Sequence, residues 1–167
     1  MTTNMVGKLE KNRLLAIDPG LNSMGWAYWN RLPNVLPTEV GLLHAPRKMS
    51  LTERALWLAW RLDEYLDLCR GAGIHVVCEY PAYHGPTAMR GWVTGDLQKL
   101  TFLVGVLAGY FESSEFEPVT PNTWKGQLPK DVVIRRLQKK FGPGATQEWE
   151  KDVWDAVGIG LWRLGQF

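Results

Sequence analysis

Two short apolar runs in this chain each end on a carboxylate, and that arrangement limits its fold more than any other feature. "RLLAID" (13–18) runs into Pro19 and Gly20, and "IHVVCE" (74–79) runs into Tyr80 and Pro81. A brief unbroken apolar run closed by turn residues reads as a strand covered on both faces. Asp-Pro-Gly is turn chemistry, so Asp18 has an ordinary use open to it, capping backbone N–H groups. A chemical role requires further acids to converge on the same point.

The remaining elements follow from periodicity. Residues 25–30 ("GWAYWN") read as a hairpin partner of the first strand, and residues 38–45 ("TEVGLLHA") as a third strand. Ser50 and Glu53 form a capping box ahead of an amphipathic helix carrying Leu51, Ala55, Leu58, Leu62, Tyr65 and Cys69, with Gly71 just past its end. After the strand 74–79, "YPAYHGPTAMRGWVTG" reads as a long loop rich in Gly, Pro and aromatics. "DLQKLTFLVGVLAGYFES" is a helix apolar around much of its girth, and "FEPVT" (116–120) a last strand. "PKDVVIRRLQKKF" is a basic amphipathic helix stopped by "GPG", and "EWEKDVWDAVGIGLWRLG" the final helix. Right-handed crossovers make the later strands parallel to the first. The expected fold class is α/β: a mixed five-stranded sheet with helices on both faces, forming one domain over residues 1–167. Ligands of such sheets sit beyond the carboxyl ends of strands, which is where Asp18 and Glu79 fall.

The last helix supplies more acid. Asp152 and Asp155 are three residues apart and share a helical face, flanked by Val153, Trp154, Ala156 and Val157. Their position in the early turns suits the helix dipole, so decoration of an N-terminus is the ordinary reading. Apolar neighbours on every side favour a packed site instead. Four gathered carboxylates repel one another strongly unless cations join them. Oxygen-only ligands select hard ions, Mg²⁺ with Mn²⁺ as substitute. Two such ions about 3.5–4 Å apart serve phosphodiester cleavage.

These residues carry a resemblance. "LLAIDPGLNSMGWA" with Asp18, "VVCEYPAYHG" with Glu79 and "DVWDAVGIG" with Asp152 and Asp155 resemble the RuvC-type Holliday junction resolvases, within the ribonuclease H-like superfamily. Lys125 and Lys130 in "TPNTWKGQLPKDVV" match lysines that the family places before and at the start of the preceding helix. The resemblance spans roughly residues 12 to 165. It implies a ribonuclease H-like fold and a homodimeric, Mg²⁺-dependent endodeoxyribonuclease of recombination and repair, nicking two strands of a four-way junction. It implies Asp18, Glu79, Asp152 and Asp155 as ligands of two ions, with Lys125 sharing in catalysis. The family carries an aromatic shortly after the second acid; Tyr80 and Tyr83 are the choices here, and the following stretch "GPTAMRGWVTG" diverges.

Other residues have two readings. Formal net charge is only +2, yet Lys125, Lys130, Arg135, Arg136, Lys139 and Lys140 face one acid, Asp131. Such a run is usually a solvated face; Lys125 and Lys130 are the better phosphate contacts. Arg90 and Trp92, in the expected loop, suit phosphate pairing and base stacking, and His84 is a weaker candidate for a phosphate. His44 and His75 read as structural, and Trp124, beside Lys125, suits either DNA contact or packing, with packing preferred. Gly105, Gly109, Gly158 and Gly160 interrupt helices and predict close approach of a neighbour. Cys69 and Cys78 have neither metal-ligand nor disulfide spacing and read as reduced core residues of a cytoplasmic protein. No signal peptide or membrane span is expected. Three other functions compete: a ribonuclease H-like nuclease for RNA, hybrid or flap substrates; an actin-like ATPase-related domain; and an idle DNA-binding module.

Overall fold

The computed structural model describes residues 13–32, 34–66, 74–81, 86–111, 116–142 and 149–167, the side chains of 66 and 86–89 excepted. Five strands, β1 (Arg13–Asp18), β2 (Ser23–Trp29), β3 (Glu39–His44), β4 (Ile74–Glu79) and β5 (Phe116–Val119), form one sheet in the order β3-β2-β1-β4-β5. β1–β2 and β2–β3 pair antiparallel, whereas β1–β4 and β4–β5 pair parallel. The mixed α/β sheet is therefore as the strand patterns predict, with β2 and β3 displaced by one or two residues at their ends.

β1 is central and its alternate residues feed two cores. Leu15 and Ile17 join Met24, Trp26, Val76 and Cys78 on one face, under α1 (Leu51–Leu66) and α3 (Asp96–Tyr110). Leu14 and Ala16 join Ala27, Trp29 and Val77 on the other, under α5 (Lys130–Phe141) and α6 (Lys151–Arg163). Leu14 to Ile17 are fully buried, which explains the unbroken apolar run. The capping box of α1 is present: Ser50 N–H donates to Glu53 Oε2 at 2.7 Å, and Glu53 N–H to Ser50 Oγ at 3.4 Å. Cys69 and Gly71 lie outside the described residues.

Two helices depart from the sequence reading. α2 (Pro86–Thr94) occupies the stretch expected to be a loop. Its interior glycine has a packing reason, since a Cβ on Gly91 would lie 3.0 Å from Leu97 Cγ where α2 crosses α3. Gly95, at φ 74°, makes the bend between them, a left-handed conformation glycine adopts without strain. α4 (Pro121–Trp124) is a single turn between β5 and Lys125, too short for periodicity to reveal. Among the described residues, no helix is long and apolar enough to cross a membrane.

Candidate active site

The site lies at the carboxyl edge of β1 and β4. Asp18 is the last residue of β1 and Glu79 the last of β4, and the two strands are hydrogen-bonded neighbours in parallel register. α6 brings Asp152 in its first turn and Asp155 one turn later. It comes this close because β2 has Gly25 beneath it: a Cβ there would stand 2.1 Å from the Asp152 carbonyl oxygen. Ser23 of the same strand donates its hydroxyl to Asp152 Oδ2 at 2.9 Å. The edge of the sheet and the start of the helix thus pack directly against each other.

The four acids feel one another. Burial pushes the Asp18 carboxyl well above the ordinary range, and the charges of Glu79, Asp155 and Asp152 push it further, against the pull of Lys130. Burial likewise raises Glu79, opposed by Lys125 and by a hydrogen bond from Trp124. Two lysines offset part of the charge. Lys130 Nζ bridges Asp155 Oδ2 at 2.7 Å and Asp152 Oδ1 at 3.1 Å, and Lys125 Nζ stands 3.7 Å from Glu79 Oε2. Burial opposes the charge on Lys130, but its bond to Asp155 and the surrounding carboxylates leave its pKa raised.

The donor set fits hard divalent cations. Four oxygen acids outnumber the two lysines, and Asp155 Oδ1 is buried without a hydrogen-bond partner. A buried carboxylate oxygen left bare is costly unless another species completes it. Among the described residues no three acidic, histidine or cysteine groups are yet drawn into a closed cage, and Lys130 stands between them.

The other singled-out residues disperse. Arg90 and Trp92 are exposed, on α2 instead of in a loop. Tyr80 is partly buried against the α1–α3 core, and Tyr83 and His84 lie outside the described residues. In the basic run, Arg135 pairs with Asp131 at 2.7 Å and Lys140 donates to the Gln166 carbonyl at 2.7 Å, while Arg136 and Lys139 are exposed. His75 is held by Glu117 at 2.7 Å, as a structural histidine should be, but His44 is exposed. Cys78 is buried, which pushes its thiol up and keeps it unreactive.

No protein-family profile and no curated protein sequence matches the chain. Among solved structures it superposes on T. thermophilus RuvC in complex with Holliday junction substrate at a TM-score of 0.63 and 17% identity, covering 92% of this chain and 96% of that one. The chain has the RuvC fold. A second structure of Thermus thermophilus RuvC gives a TM-score of 0.61 at 17% identity, covering 90% of this chain and 92% of the other.

On this RuvC fold, sequence reasoning missed two residues that touch the acids, Ser23 and Trp124. Ser23 had a signal, a hydroxyl opening an otherwise apolar strand. Trp124 is buried, as a packing residue should be, and its indole Nε1–H also donates to Glu79 Oε2 at 2.7 Å. Of the four glycines expected to meet a neighbour, two do. A Cβ on Gly158 would lie 2.6 Å from Trp124 Cζ3, and one on Gly160 2.2 Å from a ring carbon of Trp29. Gly105 and Gly109 meet no such neighbour: among the described residues, a Cβ at either would have nothing packed within 4 Å.

Proposed function

We propose that the chain is a structure-selective endonuclease that resolves four-way DNA junctions by paired, metal-dependent phosphodiester hydrolysis. The observation that carries this reading is the meeting of Asp18, Glu79, Asp152 and Asp155 at one sheet edge, with Lys125 and Lys130 among them. The RuvC neighbour is a complex with a Holliday junction, which favours branched DNA over other phosphodiesters. The four carboxylates would hold two Mg²⁺, or Mn²⁺ in their place. When bound, such ions supply an activated water and neutralise charge at the scissile phosphate. Lys130 then exchanges its two carboxylates for phosphate oxygen, and Lys125 grips the backbone beside Glu79. Arg90 and Trp92, exposed on α2, and Tyr80 and Tyr83 are the proposed contacts to the junction arms.

Paired incision needs two sites related by symmetry, and one chain has one set of acids, so a two-fold homodimer supplies the second. α3 is the proposed contact. Its outer face exposes Phe102 with Gly105 and Gly109, whose missing side chains leave room for a second helix to approach. Leu56 and Trp60 on neighbouring α1 are exposed as well.

Incubating the protein with end-labelled four-way junction, duplex, flap and RNA–DNA hybrid in Mg²⁺ tests the substrate. The expected outcome is symmetric paired nicks in the junction. Preferential cutting of hybrid or flap replaces this reading with another ribonuclease H-like nuclease. Sedimentation equilibrium tests the assembly; a monomer that stays monomeric on the junction overturns paired incision.

A further inference from the structure

Trp124 has a surrounding that packing alone does not require. It closes the one-turn helix α4 and is 2% exposed. Its N–H reaches Glu79 Oε2 at 2.7 Å, and its six-membered ring fills the notch at Gly158 of α6, where a methyl group would come within 2.6 Å. The Phe167 ring meets it edge-on, with centroids 5.6 Å apart. Lys125 Nζ lies 4.7 Å from the ring centroid and 3.7 Å from the same Glu79 oxygen. One indole therefore touches the acid at the end of β4, the helix that bears Asp152 and Asp155, and the lysine beside them.

A buried indole N–H needs an acceptor, but any carbonyl would satisfy it. Here the acceptor is a strand-end acid. The indole nitrogen only donates: it takes no proton at neutral pH and binds no cation. It therefore occupies one lone pair of Oε2 and fixes the carboxylate plane, leaving Oε1 and the remaining lone pairs for another partner. Because the ring is lodged against Gly158, the direction of that donor is set by α6. Glu79 is in this way tied to the body that carries Asp152 and Asp155.

We propose that Trp124 is a positioning residue: it orients Glu79 for divalent-cation binding and links that acid to α6. This rests on the metal-site reading given above. Deletion of a hydrogen bond that orients a metal ligand lowers cation affinity by about 10–100-fold. Trp124→Phe removes the N–H and keeps a smaller aromatic ring between Glu79 and α6.

The test is isothermal titration of Mn²⁺ into wild type, Trp124→Phe and Glu79→Gln, with melting curves for each. The expected result for Trp124→Phe is a cooperative melt and Mn²⁺ affinity about 10–100-fold weaker than wild type. Its kcat on junction at limiting Mg²⁺ falls and recovers as Mg²⁺ is raised, with KM for the junction unchanged. Wild-type affinity in Trp124→Phe, with Glu79→Gln impaired, overturns the role of Trp124 and leaves the metal site standing. Absence of cation binding in wild type overturns the metal site and this proposal with it. Should Trp124→Phe fail to fold, wild-type protein with ¹⁵N-labelled tryptophan decides. Substoichiometric Mn²⁺ should broaden the assigned Trp124 indole N–H; an unaffected Trp124 resonance while Mn²⁺ binds overturns the proposal.

Discussion

The two ends of the β4–β5 strand pair treat charge in opposite ways. At the carboxyl end Glu79 joins Asp18, Asp152 and Asp155 against only Lys125 and Lys130, and burial and repulsion push Asp18 and Glu79 upward. At the amino end Glu117 accepts from His75 at 2.7 Å and from Arg163 at 2.5 Å. That hydrogen bond from His75, helped by Arg163, holds the Glu117 carboxyl below its ordinary range. Both sets of charges gather at strands of the same sheet. One is matched within the chain, and the other is left in surplus. A surplus of buried like charge costs stability in the free protein and is worth keeping only where something else supplies the countercharge.

The sharpest way to break this contrast is to neutralise one surplus acid. Asp18→Asn or Glu79→Gln should abolish junction cleavage while leaving junction binding largely intact, as read by a gel-shift assay beside a cleavage assay. Near-normal cleavage by Asp18→Asn would remove the acid edge as the active site.

The same variant should gain stability, which no catalytic role demands. A carboxyl whose folded pKa is raised contributes stability fully below its unfolded pKa of about 4 and loses it as pH rises through the folded value. As pH rises above the unfolded value, the metal-free wild type loses that contribution progressively. Melting temperature in EDTA should therefore climb as pH falls from neutral toward 5, and Asp18→Asn should melt several degrees above wild type at pH 7.5, at about 2–4 °C per kcal/mol. Mg²⁺ should raise the wild-type melting temperature and have little effect on Asp18→Asn. A pH-independent melt in EDTA would remove the surplus.

The lysines test the compensation. Lys130→Ala removes the countercharge from both Asp152 and Asp155, so the metal-free protein should melt lower than wild type. If Lys125 and Lys130 also grip phosphate, each alanine variant should reduce the salt slope of junction binding by about 0.9. Wild-type binding and cleavage at every salt concentration would leave them as structural counterions only.

The matched end should respond least and with the opposite sign. A depressed carboxyl stabilises above its unfolded pKa and loses that contribution as pH falls through the folded value. Glu117→Gln should cost under about 1 kcal/mol near neutrality, since the pair is partly solvated. In paired thermal melts the cost should begin to shrink as pH falls toward about 4 and vanish once pH is below the folded value.

How legible this was in the sequence follows from where each signal is stored. β1, β4 and α6 announce themselves because an apolar run and its terminal acid are neighbours in the chain. α2 was hidden by Pro86 and Gly91, residues that usually mark loops; here the glycine serves the crossing with Leu97. The four acids were readable from order and spacing. Trp124 was not readable as a partner of Glu79, because a hydrogen bond across 45 residues leaves no periodic trace. Gly25 beneath Asp152 was equally silent, since a strand glycine gives no hint of which backbone lies above it.

That contact between β2 and the start of α6 has a consequence in time. Ser23 and Asp152 are 129 residues apart, so both the hydroxyl and the bare Gly25 wait for a helix synthesised long after them. While a nascent chain emerges, the sheet edge with Asp18 and Glu79 can form, but its cradle for α6 stays empty until the ribosome has moved past residue 163. Closing so distant a pair is the slow kind of folding event. Until α6 docks, the chain therefore holds Asp18 and Glu79 at the sheet edge without Asp152 and Asp155 beside them.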